Sequence, residues 1–174
     1  MARKQPNIFF VGLDANVKPL EKPSIKATRK PSKGGLPNAL FIQAAVEKLP
    51  AELNGVANKI HINFSWGSLL KAVATGDSAV LSSLRRVSAP DALLEIVFGF
   101  DPVRDASEIE RLSLPDISEG YFRADLLPKY LEAGFSSLKS EVLEEAEWRK
   151  IETSWAKKLR GERRTVRRLI FQAT

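Results

Sequence analysis

Short apolar runs alternate with amphipathic, polar-faced stretches along this chain, and the alternation predicts strands interleaved with helices. Ile8-Phe9-Phe10-Val11-Gly12-Leu13 is aromatic-rich, stops at Asp14 and reads as a buried strand. Residues 39–44 form a second run, residues 59–64 a third and residues 92–100 a fourth. Asn16 is placed to cap a helix reaching about Arg29. Pro19 and Pro23 fall within it and predict a short or late-starting helix, since proline removes a hydrogen bond and clashes with the preceding turn. Helices are expected over 67–74 and 78–86, with Pro90 closing the second. A short helix over 107–112 and a longer one over 118–133 follow, and Gly134 stands where a helix C-terminal glycine belongs. Residues 135–143 alternate weakly as a strand, and 165–173 read as a basic final strand. The pattern predicts an α/β fold with a mostly parallel sheet.

A chain of 174 residues with 44% hydrophobic and 28% charged residues is expected to form a single globular domain over 1–174. It has no cysteine, which excludes a disulfide frame and a zinc-thiolate site, and no metal-ligand spacing is present. No apolar run approaches the roughly 20 residues of a membrane span. With no apolar signal-type segment at the start, cytoplasmic residence is the expectation. Charge is unevenly placed: residues 1–40 carry +6, residues 41–156 carry −6 and residues 157–174 carry +6. Two basic ends around an acidic middle suit a face that meets phosphates, or equally a basic loop and tail with no common target.

Several residues are candidates for chemistry. Asp14, after the first strand, is placed to bond the ribose hydroxyls of a nucleotide cofactor, or to cap the helix that follows. After the second strand, Ala44-Ala45-Val46-Glu47-Lys48-Leu49-Pro50 offers small residues beside which an adenine ring fits, with Glu47 as an acceptor. Trp66 follows the third strand and suits either a base-stacking surface or a core. Trp155 keeps polar company in Thr153, Ser154, Lys157 and Lys158 and favours the surface role. Two such tryptophans can sandwich a flipped base. Trp148 reads as packing, and His61, between Ile60 and Ile62, as non-catalytic. Arg29-Lys30-Pro31-Ser32-Lys33-Gly34-Gly35 is a basic loop closed by glycines.

Four segments stand in one order: 29–38, 44–50, Asn63-Phe64-Ser65-Trp66-Gly67-Ser68-Leu69-Leu70, and Trp155-Ala156-Lys157-Lys158-Leu159. Together they resemble the 16S ribosomal RNA adenine-N1 methyltransferases that confer aminoglycoside resistance by modifying the decoding-site adenine. The resemblance runs from about Phe9 onward and is only general between Asp101 and Arg149. It implies a class I, Rossmann-like methyltransferase fold that uses S-adenosylmethionine, and 16S rRNA in the small ribosomal subunit as partner. It also implies that Asp14 binds the cofactor ribose and that Ala45 and Glu47 lie by its adenine. Trp66 and Trp155 would clamp the flipped base, with Thr153 and Ser65 beside it. Arg29, Lys30, Lys33, Arg163 and Arg164 would hold RNA phosphates.

Two departures are visible. Ser65 replaces the proline of the family's Phe-Pro-Trp. The resemblance also implies a first strand, a glycine-rich cofactor loop and a first helix ahead of Phe9, whereas only seven residues precede Ile8. The expectation is an N-terminally truncated member lacking that strand and helix. A non-catalytic RNA-binding remnant is the alternative reading.

Overall fold

The computed structural model describes residues 1–99, 101–151, 153 and 164–174. The chain divides into two compact units, Met1–Pro50 and Ala51–Thr174.

In the first unit, β1 (Phe10–Asp14) and β2 (Ala39–Gln43) pair in parallel, Phe10 opposite Ala39 and Asp14 opposite Gln43. The connection is α1 (Lys18–Ala27), whose start is delayed as the prolines predict: Val17 is its N-cap and Pro19 lies in its first turn. Pro19 is tolerated there because the first N–H groups of a helix have no intrahelical acceptor. Leu20 and Ala27 are the buried residues of α1. The buried strand expected at 8–13 is corrected here. Phe9 is 61% exposed, and Val11, Leu13 and Leu40 are also exposed. A pair of strands with one crossover helix covers little of its own apolar surface.

The second unit is built on a four-stranded sheet in the order β3-β4-β6-β5. These strands are β3 (Ala57–Asn63), β4 (Ser88–Phe98), β5 (Phe135–Leu143) and β6 (Val166–Ala173). β3 and β4 run parallel, with Ile62 opposite Ile96, whereas β6 is antiparallel to both β4 and β5. The four strands expected to be parallel are therefore parallel in their pairs, and the C-terminal hairpin-like pair is antiparallel. Between β3 and β4 lie α2 (Gly67–Thr75) and α3 (Ser78–Val87), the latter capped by Asp77 accepting from Val80 N at 3.0 Å. Pro90 does not close α3. The helix ends at Val87 and the chain enters β4 directly, with Pro90 inside a stretch where the β3–β4 register slips and Asp91 takes φ +60°. An irregular stretch of strand accommodates proline because no ladder N–H is required there.

After β4 come α4 (Ala106–Leu112), α5 (Glu119–Tyr121), a π-helical turn over Phe122–Leu126 and α6 (Leu127–Glu132). The helix expected over 118–133 is present in these three pieces. Pro128 has no N–H to give, and the wider turn precedes it. Gly134 takes φ +87° just past the helix, as expected. The core includes Leu70, Val73, Leu81, Leu94, Ile96 and Leu169, all fully buried, and the stacked rings of Tyr130 and Phe171, whose centroids are 4.1 Å apart. The Tyr130 hydroxyl donates to the Val73 carbonyl at 2.9 Å, so the one polar atom of that buried ring is satisfied. A short helix, α7 (Glu145–Trp148), follows β5 and seats Trp148 in a second cluster with Phe64, Val97, Leu143 and Val166.

Candidate functional site

In the first unit the chemistry collects at the carboxyl ends of the two parallel strands, where open α/β sheets bind ligands. Asp14 is the last residue of β1, and its Oδ1 accepts from Asn16 N at 2.8 Å. That turn orients the carboxylate without making Asp14 the helix cap, which is Val17. Oδ2 makes no hydrogen bond among the described residues and is open to a hydroxyl donor. The Asp14 carbonyl accepts from Ala44 N at 3.0 Å and ties the two strand ends together. Ala45 follows in an extended conformation (φ −77°, ψ 147°) and begins a 3₁₀ turn, Val46–Lys48, that presents Glu47 to solvent. The three residues expected to hold a nucleotide cofactor thus lie on adjoining strand ends. A half-engaged carboxylate, a small residue and a free acceptor suit a ribose and an adenine ring.

The basic loop belongs to the same unit. Arg29, Lys30 and Lys33 are exposed, and the backbone beneath them is tightly folded. Lys33 N and Gly35 N both donate to the Lys30 carbonyl, at 2.8 and 3.1 Å. Gly34 takes φ +82°, and a Cβ on Gly35 would stand 1.7 Å from the Arg29 carbonyl oxygen. Two glycines are required here by conformation and by close approach, so the cations are carried on a defined turn.

In the second unit the notable feature is the corner after β3. Phe64 N donates to the Val97 carbonyl at 2.7 Å, the last link to β4. Phe64 itself takes φ +50°, left-handed and unusual for a bulky residue. Its ring is fixed edge-on against Trp148 at 6.1 Å, which holds the chain in that conformation. Ser65 and Trp66 follow, Trp66 extended (φ −134°, ψ 166°) and half-buried as the N-cap of α2. Asn63 Oδ1 and Ser65 Oγ, on either side of Phe64, are buried with no hydrogen-bond partner among the described residues. Each such atom costs about 1–3 kcal/mol, and a left-handed non-glycine residue costs a similar amount. Such costs concentrated in three consecutive residues are characteristic of a ligand site.

The remaining expected residues are placed as follows. Thr153 is half-buried, its N–H donating to the Ile151 carbonyl at 2.9 Å. Trp155 and Arg163 lie outside the described residues. Arg164 is held by Asp105 through both guanidinium nitrogens, with Nη2 at 3.1 Å from Oδ1, and the two side chains are only 7% and 12% exposed. Asp105 also accepts from Asp101 N at 2.8 Å. Sequence reasoning passed over Asn63, because β3 also carries Asn58 and an amide there is no distinctive signal. It also passed over Asp105, which stands 59 residues from its partner and leaves no local signature. Trp148, read as packing, is 1% exposed. His61 forms a surface cluster with Lys59 and Glu95. Among the described residues no group of three metal-ligating side chains occurs, and no helix is long and apolar enough to cross a membrane.

Comparison with known proteins places these features in context. The family model described as NpmA: 16S rRNA (adenine(1408)-N(1))-methyltransferase matches residues 1–174. A 16S rRNA (adenine(1408)-N(1))-methyltransferase of Streptoalloteichus hindustanus is 35% identical over 167 residues, covering 94% of this chain and 74% of the relative. The Escherichia coli protein of the same name is 33% identical over 160 residues, covering 91% and 73%. Among solved structures, the aminoglycoside resistance methyltransferase NpmB1 is 47% identical with a TM-score of 0.84, covering 99% of this chain and 79% of that one. A tryptophan-to-alanine mutant of the Catenulisporales acidiphilia enzyme, crystallised with its cosubstrate SAM, is 31% identical with a TM-score of 0.90, covering 99% and 78%.

Proposed function

This chain belongs to the 16S rRNA (adenine(1408)-N(1))-methyltransferase family, and on that premise we propose that it methylates N1 of the decoding-site adenine in the small ribosomal subunit, with aminoglycoside resistance as the consequence. The fold is the Rossmann-like fold of S-adenosylmethionine-dependent methyltransferases. Bound S-adenosylmethionine supplies an electrophilic methyl group: the N1 lone pair forms the new C–N bond, the C–S electrons return to sulfur, and the positive charge passes to the adenine ring.

The protein's task is positioning, because N1 is itself the nucleophile and no side-chain nucleophile is needed. The observation that carries the reading is the meeting of Asp14, Ala45 and Glu47 on the carboxyl ends of β1 and β2. Asp14 accepts from the ribose hydroxyls, and Glu47 and Ala45 border the cofactor's adenine. Trp66 stacks on the extruded target base, with Trp155 as its second face and Thr153 and Ser65 alongside. Arg29, Lys30 and Lys33 contact RNA phosphates, joined by Arg163. Arg164, whose guanidinium is engaged by Asp105 and nearly buried, is left out of this set. In this reading residues 1–174 act as one methyltransferase domain.

The test is transfer of radiolabelled methyl from S-adenosylmethionine to purified small ribosomal subunits, with Asp14→Ala as the control. Wild type is expected to label the subunits. Asp14→Ala is expected to lose cofactor binding by calorimetry while retaining its affinity for subunits. Cofactor affinity unchanged in Asp14→Ala would remove the assignment at the strand ends.

A further inference from the structure

The start of the first unit is folded onto the basic loop. Ala2–Lys4 form a 3₁₀ turn, with Lys4 N donating to the Met1 carbonyl at 2.9 Å. Asn38, half-buried just ahead of β2, reaches back to this segment from the end of the loop. Its side-chain nitrogen donates to the carbonyls of Ala2, Gln5 and Ile8, at 3.1, 3.0 and 2.8 Å. The whole donor capacity of that amide is therefore spent on fixing one short stretch of backbone. The stretch so held brings Arg3 to the loop, where its Nη2 donates to the Gly34 carbonyl at 3.3 Å, one residue past Lys33. That is the only hydrogen bond of the Arg3 side chain among the described residues. None of Arg3, Arg29, Lys30 and Lys33 forms an ion pair there, and all four are exposed.

A guanidinium tied at one nitrogen to a backbone carbonyl has lost much of its freedom, while the rest of its planar fork still matches the oxygens of a phosphate. With no carboxylate bonded to it or to its three cationic neighbours, the partner that fits is a chain of phosphates. We propose that Arg3 holds an RNA phosphate beside those of the basic loop, and that Asn38 is the positioning residue that sets it there. The inference rests on the ribosomal RNA reading above and extends its RNA surface to a turn outside the four motif segments. Asn38 carries no charge, so its part is geometric. The loop turn does not depend on its side chain: Lys33 N and Gly35 N donate to the Lys30 carbonyl, and Leu36 N donates to the Ala27 carbonyl at 3.0 Å. Losing the Asn38 amide therefore releases Arg3 and leaves Lys30 and Lys33 on their turn.

The test counts phosphates. Affinity for purified small ribosomal subunits is measured over a salt series, and the slope of log affinity against log salt reports how many phosphates are neutralised. Arg3→Gln should reduce the slope by about 1, and Arg3→Lys, which keeps the charge, should retain the wild-type slope. Asn38→Ala changes no charge, yet it should reduce the slope by a similar amount. The double variant Arg3→Gln with Asn38→Ala should fall no further than either alone, because both remove the same contact. Arg3 is exposed, so Arg3→Gln decides the matter even where Asn38→Ala lowers the melting temperature. A slope for Arg3→Gln equal to that of wild type overturns the proposal and reduces Arg3 to a tie between turn and loop. Additive losses in the double variant overturn the positioning role of Asn38. Wild-type binding without salt dependence would instead sink the RNA reading itself, and this contact with it.

Discussion

Three tryptophans separate into roles by their surroundings. Trp148 is 1% exposed and anchors Phe64, Leu143 and Val166. Trp148→Ala should therefore cost about 3–5 kcal/mol of stability, read as a lowered melting temperature. Trp66 is half-buried at the start of α2. Trp66→Ala should leave a folded protein and slow methyl transfer by about 10–100-fold, the equivalent of one stacking face at roughly 1–3 kcal/mol. A Trp66→Ala chain that is inactive because it is unfolded would return that residue to the core. The packing role of Trp148 was legible in the sequence because acidic neighbours left it little else to do, whereas Trp66 was not, since a tryptophan past a strand end suits either role. His61 gives a pH prediction. Burial first, and the Lys59 charge second, hold its pKa below 6.5, with Glu95 opposing. The unfolded chain takes up the proton first as pH falls, so this histidine's contribution is complete above 6.5 and is lost progressively below it. The melting temperature should drop between about pH 7.5 and about pH 5.5 by more in wild type than in His61→Gln. Asp101, Glu108 and Glu141, whose pKa values are lowered by hydrogen bonds from Arg104, Arg111 and Lys139 respectively, act in a separate window below about 4.5.

Elements in this chain are joined by a few specific ties. Arg164, two residues before the start of β6, is bound to Asp105 at the start of α4. Removing one partner leaves a charge in a place with little solvent. Asp105→Ala should therefore lower stability by about 3–5 kcal/mol, more than Arg104→Ala, measured by denaturant unfolding. Equal losses at the two positions would show that the pair contributes nothing particular. The turn under the basic loop depends on Gly35, and Gly35→Ala should destabilise by more than about 1 kcal/mol because the Arg29 carbonyl occupies the space a Cβ needs. Most elements were legible in the sequence through their periodicity, β5 at its full extent included. Three things were not. Pro90 read as a helix stop, although the helix had already ended at Val87 and the proline sits where the β3–β4 register slips. The antiparallel direction of β6 depends on where its chain returns to the sheet, which no run of side chains encodes. The exposure of β1 depends on what covers a two-stranded pair, and its apolar composition gave the opposite impression.

At the scale of the whole molecule, the charge blocks of +6, −6 and +6 make an electrostatic case for an RNA partner. Counterion release makes such binding fall with salt by a slope set by the number of phosphates neutralised. Lys30→Ala and Lys33→Ala should each reduce the salt slope of small-subunit binding by about 1 and weaken affinity at low salt. A substitution in the acidic middle, such as Arg104→Ala, should leave the slope unchanged. The candidate site was legible in part: the strand-end acid, the small-residue turn and the basic loop stood out in the sequence, while the buried oxygens of Asn63 and Ser65 emerged only from three-dimensional packing. The central claim concerns one atom of one nucleotide, and it can be read there directly. Small ribosomal subunits incubated with this protein and S-adenosylmethionine should give 16S rRNA with a reverse-transcription stop at adenine 1408, and mass spectrometry should place the methyl group on N1. An unmodified adenine 1408, or a methyl group found on another nucleotide or another ring position, would contradict the account.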